Sequence, residues 1–293
     1  MGLEVYLNGK FVHRDKAQVS IFDHGLLYGD GVFEGIRSYN GLVFRLKEHI
    51  DRLYKSARAI QLEIPMEKGA LIKAVVATLK KNKLKDAYIR LVVTRGPGDL
   101  GLDPRKCKNG GVIFIIADKI LLYSEKYYGE GLRIITAKTR RNLPQALNPR
   151  IKSLNYLNNI LAKLECIKSG VEEAVMLTHD GYVAECTGDN IFIVSKNILM
   201  TPPTDIGALE GITRDAVIDI ARKKKIVFKE KKFKLNEAYN AQECFLTGTA
   251  AEIIPVVKID NKIIGKGKPG KLTLELRDAF RSLTKIDGMR YKV

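Results

Sequence analysis

Tryptophan is absent from this sequence, and histidine and cysteine each occur four times. The four cysteines are far apart and include no C-x-x-C pair, and the histidines form no cluster. Such spacing argues against a zinc site and against a disulfide framework. We therefore expect no metal centre, and four reduced, mostly buried thiols: Cys107, Cys166, Cys186 and Cys244.

Long apolar runs are absent as well. The longest, at 112–117, is far too short to span a bilayer, and the first residues lack the apolar segment of a signal peptide. We expect a cytoplasmic protein with no membrane partner. Its 293 residues, of which 45% are hydrophobic, can bury a sizeable core, and this length favours two domains.

Acidic residues are in the minority: the sequence contains 50 lysines and arginines but only 33 aspartates and glutamates, which gives a formal net charge of +17. A basic balance of this size could indicate nucleic-acid binding. The lysines are spread through nearly every segment, however, and the densest run, 222–225, ends a predicted helix, where cations are favourable. We expect a solvated basic surface that attracts anionic substrates, and no nucleic-acid partner.

The hydrophobic pattern of the first third predicts a small α+β domain over 1–118. Asn-Gly pairs at 8–9 and 40–41 predict two hairpins. The predicted hairpins, helices and strands are, in chain order, 3–13, 31–46, 47–60, 66–80, 87–94 and 111–117.

A polar stretch at 119–131 breaks this pattern and predicts an interdomain loop. The remainder, 132–293, predicts a larger domain, a strand-rich sheet or barrel flanked by helices. Its predicted elements are a strand at 132–137, a helix at 153–169, a hairpin turn at 180–181 and helices that begin at 211 and 271.

Gly96, Gly98 and Gly101 match the G-x-G-x-x-G pattern and follow a predicted strand. A dinucleotide-binding fingerprint also requires that the third glycine opens a helix. Leu102, Asp103 and Pro104 follow instead, so this segment is predicted to be a loop.

Two other segments are better suited to an anion. Gly211, Ile212 and Thr213 open an amphipathic helix, whose free backbone N–H groups and threonine hydroxyl favour phosphate. Residues 247–252 follow a strand and contain small side chains that would let a ligand approach the backbone. Either segment alone is more often structural, since Gly-Thr pairs begin many helices.

Lys152 lies between a proline-containing loop and a predicted helix. A lysine held at such a junction, partly desolvated or beside another cation, can act as a nucleophile toward an aldehyde. The residues alone leave it one candidate among many lysines.

With Lys152, Glu185, Thr213 and Thr249 in view, the whole chain resembles the branched-chain aminotransferases, which are class IV, fold type IV enzymes that use pyridoxal phosphate. The likeness runs in order along nearly all 293 residues. It is carried by seven segments: YGDGVFEGIR at 28–37, EHIDRL at 48–53, AYIR at 87–90, KSLNY at 152–156, GYVAECTGDNIF at 181–192, LEGITR at 209–214 and TGTAAE at 247–252.

The resemblance implies pyridoxal 5′-phosphate as cofactor. Lys152 would bind the cofactor's aldehyde carbon covalently and later carry a proton between the substrate Cα and the cofactor. Glu185 would lie beside the pyridine nitrogen and keep it protonated, and Tyr156 would bond the phenolic oxygen. The phosphate and the ring would be held by five further residues: Arg52, Ile212, Thr213 and Thr249 at the phosphate, and Leu209 at the ring.

The resemblance also implies amino acids and 2-oxo acids as substrates. An apolar surface would hold a branched side chain, and Arg90 would pair with the side-chain carboxylate of glutamate. Tyr88 and backbone N–H groups would hold the α-carboxylate. The substrate site implied in this way comprises Tyr28, Phe33, Gly35, Arg37, Tyr88, Arg90, Thr249 and Ala250.

Enzymes that share this fold and cofactor are the nearest alternatives: D-amino-acid aminotransferases, (R)-amine transaminases and aminodeoxychorismate lyases. The segment 33–37 and the Tyr88-x-Arg90 pair favour the branched-chain group. Cys186, which stands where many relatives have glycine, and the poorly matching stretch 119–128 leave the side-chain preference open. A basic nucleic-acid-binding protein without catalysis is a distant alternative.

The resemblance implies a homodimer or a higher homo-oligomer in which one subunit completes its neighbour's site. The loop at 96–104 is the candidate for that contribution.

Overall fold

The computed structural model describes residues 2–119 and 122–293, which fold into two compact units. The first unit contains residues 2–119, 151–155 and 284–293, and the second contains residues 122–150 and 156–283. Helices and strands are both abundant, which confirms the predicted α+β class.

The first unit begins with two strands and a short helix and continues with four strands and two longer helices. In chain order these are β1 (Glu4–Leu7), β2 (Lys10–His13), α1 (His24–Tyr28), β3 (Gly31–Tyr39), β4 (Leu42–Phe44), α2 (Leu46–Ala59), α3 (Lys68–Lys81), β5 (Ala87–Thr94) and β6 (Val112–Asp118).

The second unit is richer in strands. Its elements are α4 (Glu125–Glu130), β7 (Leu132–Thr136), α5 (Leu157–Lys168), β8 (Ala174–Leu177), β9 (Val183–Cys186), β10 (Asn190–Ser195), β11 (Ile198–Thr201), α6 (Ile212–Lys223), β12 (Phe228–Glu230), α7 (Leu235–Tyr239), β13 (Glu243–Gly248), β14 (Glu252–Ile259), β15 (Lys262–Ile263) and α8 (Lys271–Leu283). The last strand of the chain, β16 (Gly288–Arg290), belongs to the first unit.

A seven-stranded sheet with the order β16-β4-β3-β5-β6-β1-β2 organises the first unit, and each of these pairings is antiparallel. Because side chains alternate along a strand, Val32 and Ile36 of β3 point into the core. Helix α2 buries Ile50, Leu53 and Ala57, which recur at helical spacing, in the same core.

Residues 151–155 pair with β3 instead of opening a helix. The Phe33 amide nitrogen lies 3.0 Å from the Lys152 carbonyl oxygen, and the Leu154 amide nitrogen lies 2.9 Å from the Gly31 carbonyl oxygen. Since these backbone groups are used in strand-like pairing, the helix predicted over 153–169 begins only at Leu157. Its predicted start was wrong for this reason.

The second unit contains a mixed sheet with the order β12-β11-β10-β13-β14-β7-β8-β9, and β15 pairs with β14. Strand β7 is parallel to β14 and to β8, and α5 makes the crossover from β7 to β8. Strand β9 is the last strand in this order, and a short turn connects it to β10, which is an interior strand. The sheet therefore curls toward a half barrel.

The structure confirms both Asn-Gly hairpins and the predicted elements α2, α3, β5, β6, α6 and α8, with boundaries that differ by at most two residues. Helices α1, α4 and α7 and strand β16 were not predicted. Helix α4 lies inside the predicted interdomain loop 119–131, and Tyr123 and Tyr128 are buried in the core of the second unit. Residues 120 and 121 of that loop lie outside the described residues.

The predicted division into 1–118, 119–131 and 132–293 stays a prediction. The grouping by contacts differs from it in placing residues 151–155, with Lys152, and residues 284–293 in the first unit.

All four cysteines are free thiols, and Cys166, Cys186 and Cys244 are buried, as predicted. Over the described ranges 2–119 and 122–293, no helix combines the length and the apolar character needed to cross a membrane.

Candidate active site

Five of the predicted substrate residues lie together on one face of the first unit's sheet. Phe33, Gly35 and Arg37 alternate along β3 and therefore point to the same side. On the adjacent strand β5, Arg90 is directly opposite Gly35, and Tyr88 is opposite Arg37. The Cβ of any larger residue at position 35 would lie 2.1 Å from the Tyr88 hydroxyl, so glycine makes room for this phenol.

Lys152 is held against the same face. Its backbone nitrogen donates to the Ser56 hydroxyl at 3.1 Å, and its Nζ lies 4.5 Å from the centroid of the Phe33 ring. The Arg90 guanidinium carbon lies 4.6 Å from that centroid, and Arg90 Nη2 donates to the Tyr88 hydroxyl at 3.2 Å. Two cations thus contact one aromatic ring, a contact that its π electrons favour.

On the opposite face of β3, Glu34 is completely buried and binds two residues of α2. Arg52 donates to it through Nε at 2.8 Å and Nη2 at 2.7 Å, a bidentate ion pair. His49 Nδ1 lies 2.7 Å from Glu34 Oε2. Arg52, predicted to bind the cofactor's phosphate, is therefore positioned by a carboxylate that was not predicted as a site residue.

These contacts fix the ionisation of both buried groups. Burial opposes the charge of Glu34, but the charge and hydrogen bonds of Arg52, helped by His49, lower its pKa from 4.5 to about 2. Burial lowers the pKa of His49, and the charges of Arg52 and Lys152 act in the same direction against the influence of Glu34. The ring is therefore neutral, and because Glu34 is ionised, Nδ1 carries the proton and donates it.

Tyr28 lies at the end of α1, and its hydroxyl donates to the Leu100 carbonyl. The predicted loop around Leu100 is confirmed, because residues 96–103 are not helical and only the short turn Pro104–Lys106 follows. The dinucleotide reading of the glycine pattern is thus excluded by the backbone as well.

In the second unit, Glu185 of β9 is buried and bonded on both oxygens. Its Oε1 accepts from Arg141 Nε at 2.7 Å, and its Oε2 accepts from the Leu209 backbone nitrogen at 2.9 Å and from Asn190 Nδ2 at 3.3 Å. Arg141 is itself buried and donates through Nη1 to Asn158 at 3.0 Å. The Glu185 carboxylate is thus held in place by hydrogen bonds and forms an ion pair with Arg141.

A carboxylate offers about four acceptor positions, and these three bonds leave room for one further donor on Glu185. A protonated pyridine nitrogen is a donor of the required kind. Leu209, predicted to pack against the cofactor ring, is thereby shown to bond the carboxylate through its backbone.

Both predicted anion-binding segments also lie in the second unit. Gly211 is the N-cap of α6 and has no side chain that could cap the helix, and Ile212 and the buried Thr213 occupy its first two positions. Backbone N–H groups at such a start favour a phosphate. Thr249 and Ala250 lie half-buried in the loop between β13 and β14. Tyr156 directly precedes α5 and is half-buried.

Five residues of the site were not predicted from the sequence: Glu34, His49, Ser56, Arg141 and Asn190. A signal existed for Glu34, because it shares a face of β3 with Val32 and Ile36, and an acidic residue on a buried face requires a buried cation or a proton. Asn190 lay within the recognised segment 181–192. Arg141 gave no signal, since it is one of two adjacent arginines in an irregular loop.

Comparison with known proteins relates this chain to aminotransferases. The sequence profile of the family described as amino-transferase class IV matches residues 31–259. A protein of Methanocaldococcus jannaschii that carries the provisional name of branched-chain-amino-acid aminotransferase is 52% identical over 281 residues, covering 96% of each chain. A D-alanine aminotransferase of Bacillus licheniformis is 35% identical over 286 residues, again covering 96% of each.

A solved structure shares the whole fold. The crystal structure of the branched-chain amino acid aminotransferase of Escherichia coli matches with a TM-score of 0.94 at 33% identity. The match covers 97% of this chain and 95% of that one.

Because of the ion pair between Glu34 and Arg52, we expect the folded protein to lose stability at acidic pH. A carboxyl group whose pKa is lowered on folding stabilises the protein above its unfolded pKa, and this stability is lost as the pH falls toward the folded value. We expect about 3 kcal/mol of unfolding free energy to be lost between about pH 5 and about pH 2 through this group. Urea titrations of the wild type and Glu34→Gln measure it. The acid-dependent loss should be smaller by that amount in Glu34→Gln, and identical slopes would disprove it.

Arg141 should matter for stability mainly as the partner of Glu185. Arg141→Met leaves a buried carboxylate without its cation, and we expect a loss of roughly 3–5 kcal/mol in the free energy of unfolding. The double variant Arg141→Met/Glu185→Gln removes the charge as well and should recover much of this loss. Chemical denaturation of the four members of the cycle gives the coupling, and a coupling near zero would refute the pairing.

Proposed function

Because this chain belongs to the class IV amino-transferase family, we propose that it transfers the amino group of the branched-chain amino acids L-leucine, L-isoleucine and L-valine to 2-oxoglutarate. The chain is an aminotransferase, and the cofactor of this family is pyridoxal 5′-phosphate. The products would be branched 2-oxo acids and L-glutamate.

The observation that carries this proposal is the mixed character of one sheet face. Phe33 provides an apolar ring, which suits a branched hydrocarbon side chain, and Arg90 places a guanidinium against that same ring. A transaminase of this specificity must accept both an apolar and an acidic side chain in turn. The two side chains supply both kinds of contact, since apolar groups pack on the ring and a carboxylate pairs with the guanidinium.

The residues present fit the cofactor. Glu185 is a buried, ionic acceptor with room for one N–H donor. The start of α6 offers a threonine and backbone N–H donors that have no acceptor within the helix, and both suit a phosphate. Lys152 would hold the aldehyde carbon, Tyr156 the phenolic oxygen, and Arg52 and Thr249 would assist at the phosphate.

When bound, pyridoxal phosphate supplies an electron sink that makes the substrate Cα–H acidic. The chain's own residues control that chemistry. Lys152 would remove the Cα proton through Nζ and return it to the cofactor's aldehyde carbon. Glu185 would hold the proton on the pyridine nitrogen, and Arg141 keeps this carboxylate in place through the bond at 2.7 Å.

The α-carboxylate needs its own donors. We assign this role to the Tyr88 hydroxyl and to the backbone N–H groups of Thr249 and Ala250, because neutral hydrogen-bond donors bind a carboxylate well. Tyr28, Gly35 and Arg37 complete the proposed substrate site. The close approach of Tyr88 to Gly35 fixes the position of the phenol.

A D-amino-acid aminotransferase is the second candidate, because the D-alanine enzyme of Bacillus licheniformis is similar over nearly the whole chain. The greater identity of 52% to the Methanocaldococcus jannaschii protein favours the branched-chain reaction.

We also propose a homodimer or a higher homo-oligomer, located in the cytoplasm. Exposed apolar side chains support self-association, since monomers rarely expose a contiguous apolar patch. Leu157, Ile160, Leu164 and Ile167 recur at helical spacing on α5 and are each at least half exposed. In the first unit, Leu100 and Leu102 are exposed in the loop proposed to reach a neighbouring subunit.

Lys152 should carry the spectroscopic signature of the cofactor. Purified protein supplied with pyridoxal phosphate should show a near-visible absorption band. Borohydride reduction should abolish this band, and L-leucine should change it. Lys152→Ala should lose the band and essentially all transaminase activity. Lys80→Ala, which alters an exposed lysine of the same unit, is the control and should keep both. Wild-type protein without such a band would contradict the assignment.

Substrate choice is tested by turnover with 2-oxoglutarate of L-leucine, L-isoleucine, L-valine, D-alanine and (R)-1-phenylethylamine. We expect the three branched L-amino acids to react fastest. Faster turnover of D-alanine than of L-leucine would select the second candidate.

In the same assay, Arg90→Gln should raise the KM for 2-oxoglutarate by roughly tenfold or more, because a charge-assisted carboxylate contact is lost. The KM for L-leucine should change by less than about twofold. Arg58→Gln, an exposed arginine of α2, should change neither.

A further inference from the structure

Two buried carboxyl groups of the second unit share one phenol. Glu173, just before β8, is 2% exposed, and Asp189, just before β10, is 5% exposed. The Tyr123 hydroxyl lies 3.1 Å from Asp189 Oδ2 and 3.5 Å from Glu173 Oε2. This group, which we call the acid pair with Tyr123, is separate from Glu185 and has no role in the chemistry described above.

Within the described residues, neither carboxyl group of the acid pair has an ion-pair partner. Burial and the charge of Glu173 raise the pKa of Asp189 to about 7, and Glu185 on β9 acts in the same direction. The Tyr123 bond and Lys163 on α5 oppose this shift.

The phenol and the neighbouring thiol supply no positive charge. Burial and the nearby carboxyl groups raise the pKa of Tyr123 far above its usual value, and the same causes raise that of Cys186. Both groups stay protonated and neutral. They therefore add no charge that could balance the negative charge of the acid pair.

The bonding of the two carboxyl groups shows which one carries the charge. Glu173 Oε1 accepts from the backbone nitrogens of Ala174 at 2.8 Å and Thr187 at 2.9 Å, so it is stabilised as an anion. Asp189 receives a hydrogen bond from Tyr123 alone among the described donors. A proton shared by the pair therefore resides mainly on Asp189.

Asp189 also touches the loop that is proposed to bind anions. A Cβ added to Gly248 would lie 1.9 Å from Asp189 Oδ1, so this oxygen lies directly under the backbone between Thr247 and Thr249. An ionised Asp189 would place a second buried negative charge beneath a segment that has to receive a phosphate or a carboxylate.

We propose that Asp189 and Glu173 retain one proton between them, and that this proton makes Asp189 a positioning residue for anion binding at the loop 247–251. The inference rests on the proposed function, which assigns the cofactor's phosphate and the substrate's α-carboxylate to Thr249 and Ala250. With the proton in place, the pair contributes one negative charge, and the loop backbone remains attractive to an anion. Loss of the proton adds a repulsive charge and weakens anion binding.

The direction of the pH dependence follows from this. An acid whose pKa is raised on folding stabilises the protein below its unfolded value, and this stability is lost as the pH rises through the folded value. Both stability and anion affinity should therefore decrease as the pH rises through about 7.

The test uses sulfate, because its charge does not change over this range, and the full chain freed of cofactor. Calorimetric titration of the wild type should show the affinity for sulfate falling about tenfold between about pH 6 and about pH 8.5. Asp189→Asn mimics the protonated acid in shape and charge, so its affinity for sulfate should fall by less than about twofold over the same interval. Asp180→Asn, an exposed carboxyl group in the hairpin turn of the same unit, is the matched control and should retain the wild-type slope.

Glu173→Gln gives a second, independent variant, since removal of the neighbouring charge lets Asp189 ionise at a lower pH. Its loss of sulfate affinity should therefore shift to lower pH and be smaller than that of the wild type over the same interval. Urea unfolding across that interval should show the wild type losing stability with rising pH and both variants losing less. If either folded variant retained the wild-type dependence of sulfate affinity on pH, the proposal of a shared proton would be wrong.

This outcome is separable from that of the proposed function. Wild-type protein that shows the sulfate slope but no near-visible band with pyridoxal phosphate would reject the aminotransferase chemistry and keep the acid pair. The reverse result, a normal band with equal slopes in the wild type and the variants, would reject the acid pair alone.

Discussion

A carboxyl group removed from water needs a cation or a proton, and this constraint organises the interior of both units. In the first unit, Glu34 is matched by Arg52, and that ion pair ties the middle of β3 to α2. In the second, Glu185 is matched by Arg141, which fixes an irregular loop to β9. Where no cation is available, as at Glu173 and Asp189, the burial raises the pKa of the aspartate until a proton takes the cation's place.

Much of the fold could be predicted from local patterns. The Asn-Gly turns and the helical spacing in α2 are signals carried by a few adjacent residues, and the corresponding elements begin and end close to where they were expected. The misplaced start of α5 has another cause. Residues 152–154 have no strand-like pattern of their own, and their extended form depends on pairing with β3, which is far away in the chain. Long-range pairing of this kind leaves no local trace.

The candidate site was predictable to a different degree. Lys152, Glu185 and the two anion-binding segments could be predicted because they lie in motifs whose order along the chain matches a known family. The partners that orient them were not found, since Arg141 and Ser56 carry ordinary side chains in ordinary surroundings and acquire their roles only through distant contacts. Sequence patterns identify groups that act on a ligand more readily than groups that hold those groups in place.

The first unit's sheet is assembled from three separate parts of the chain, and this has a consequence for biosynthesis. Strand β16 pairs with β4, and residues 151–155 pair with β3, so the sheet gains its outer strand only after residue 290 has left the ribosome. The edge of β4 therefore stays exposed while residues 45–290 are made. Contacts over such distances form slowly. The nascent chain is thus most vulnerable to aggregation before β16 has been made, and chaperone protection would act on that interval.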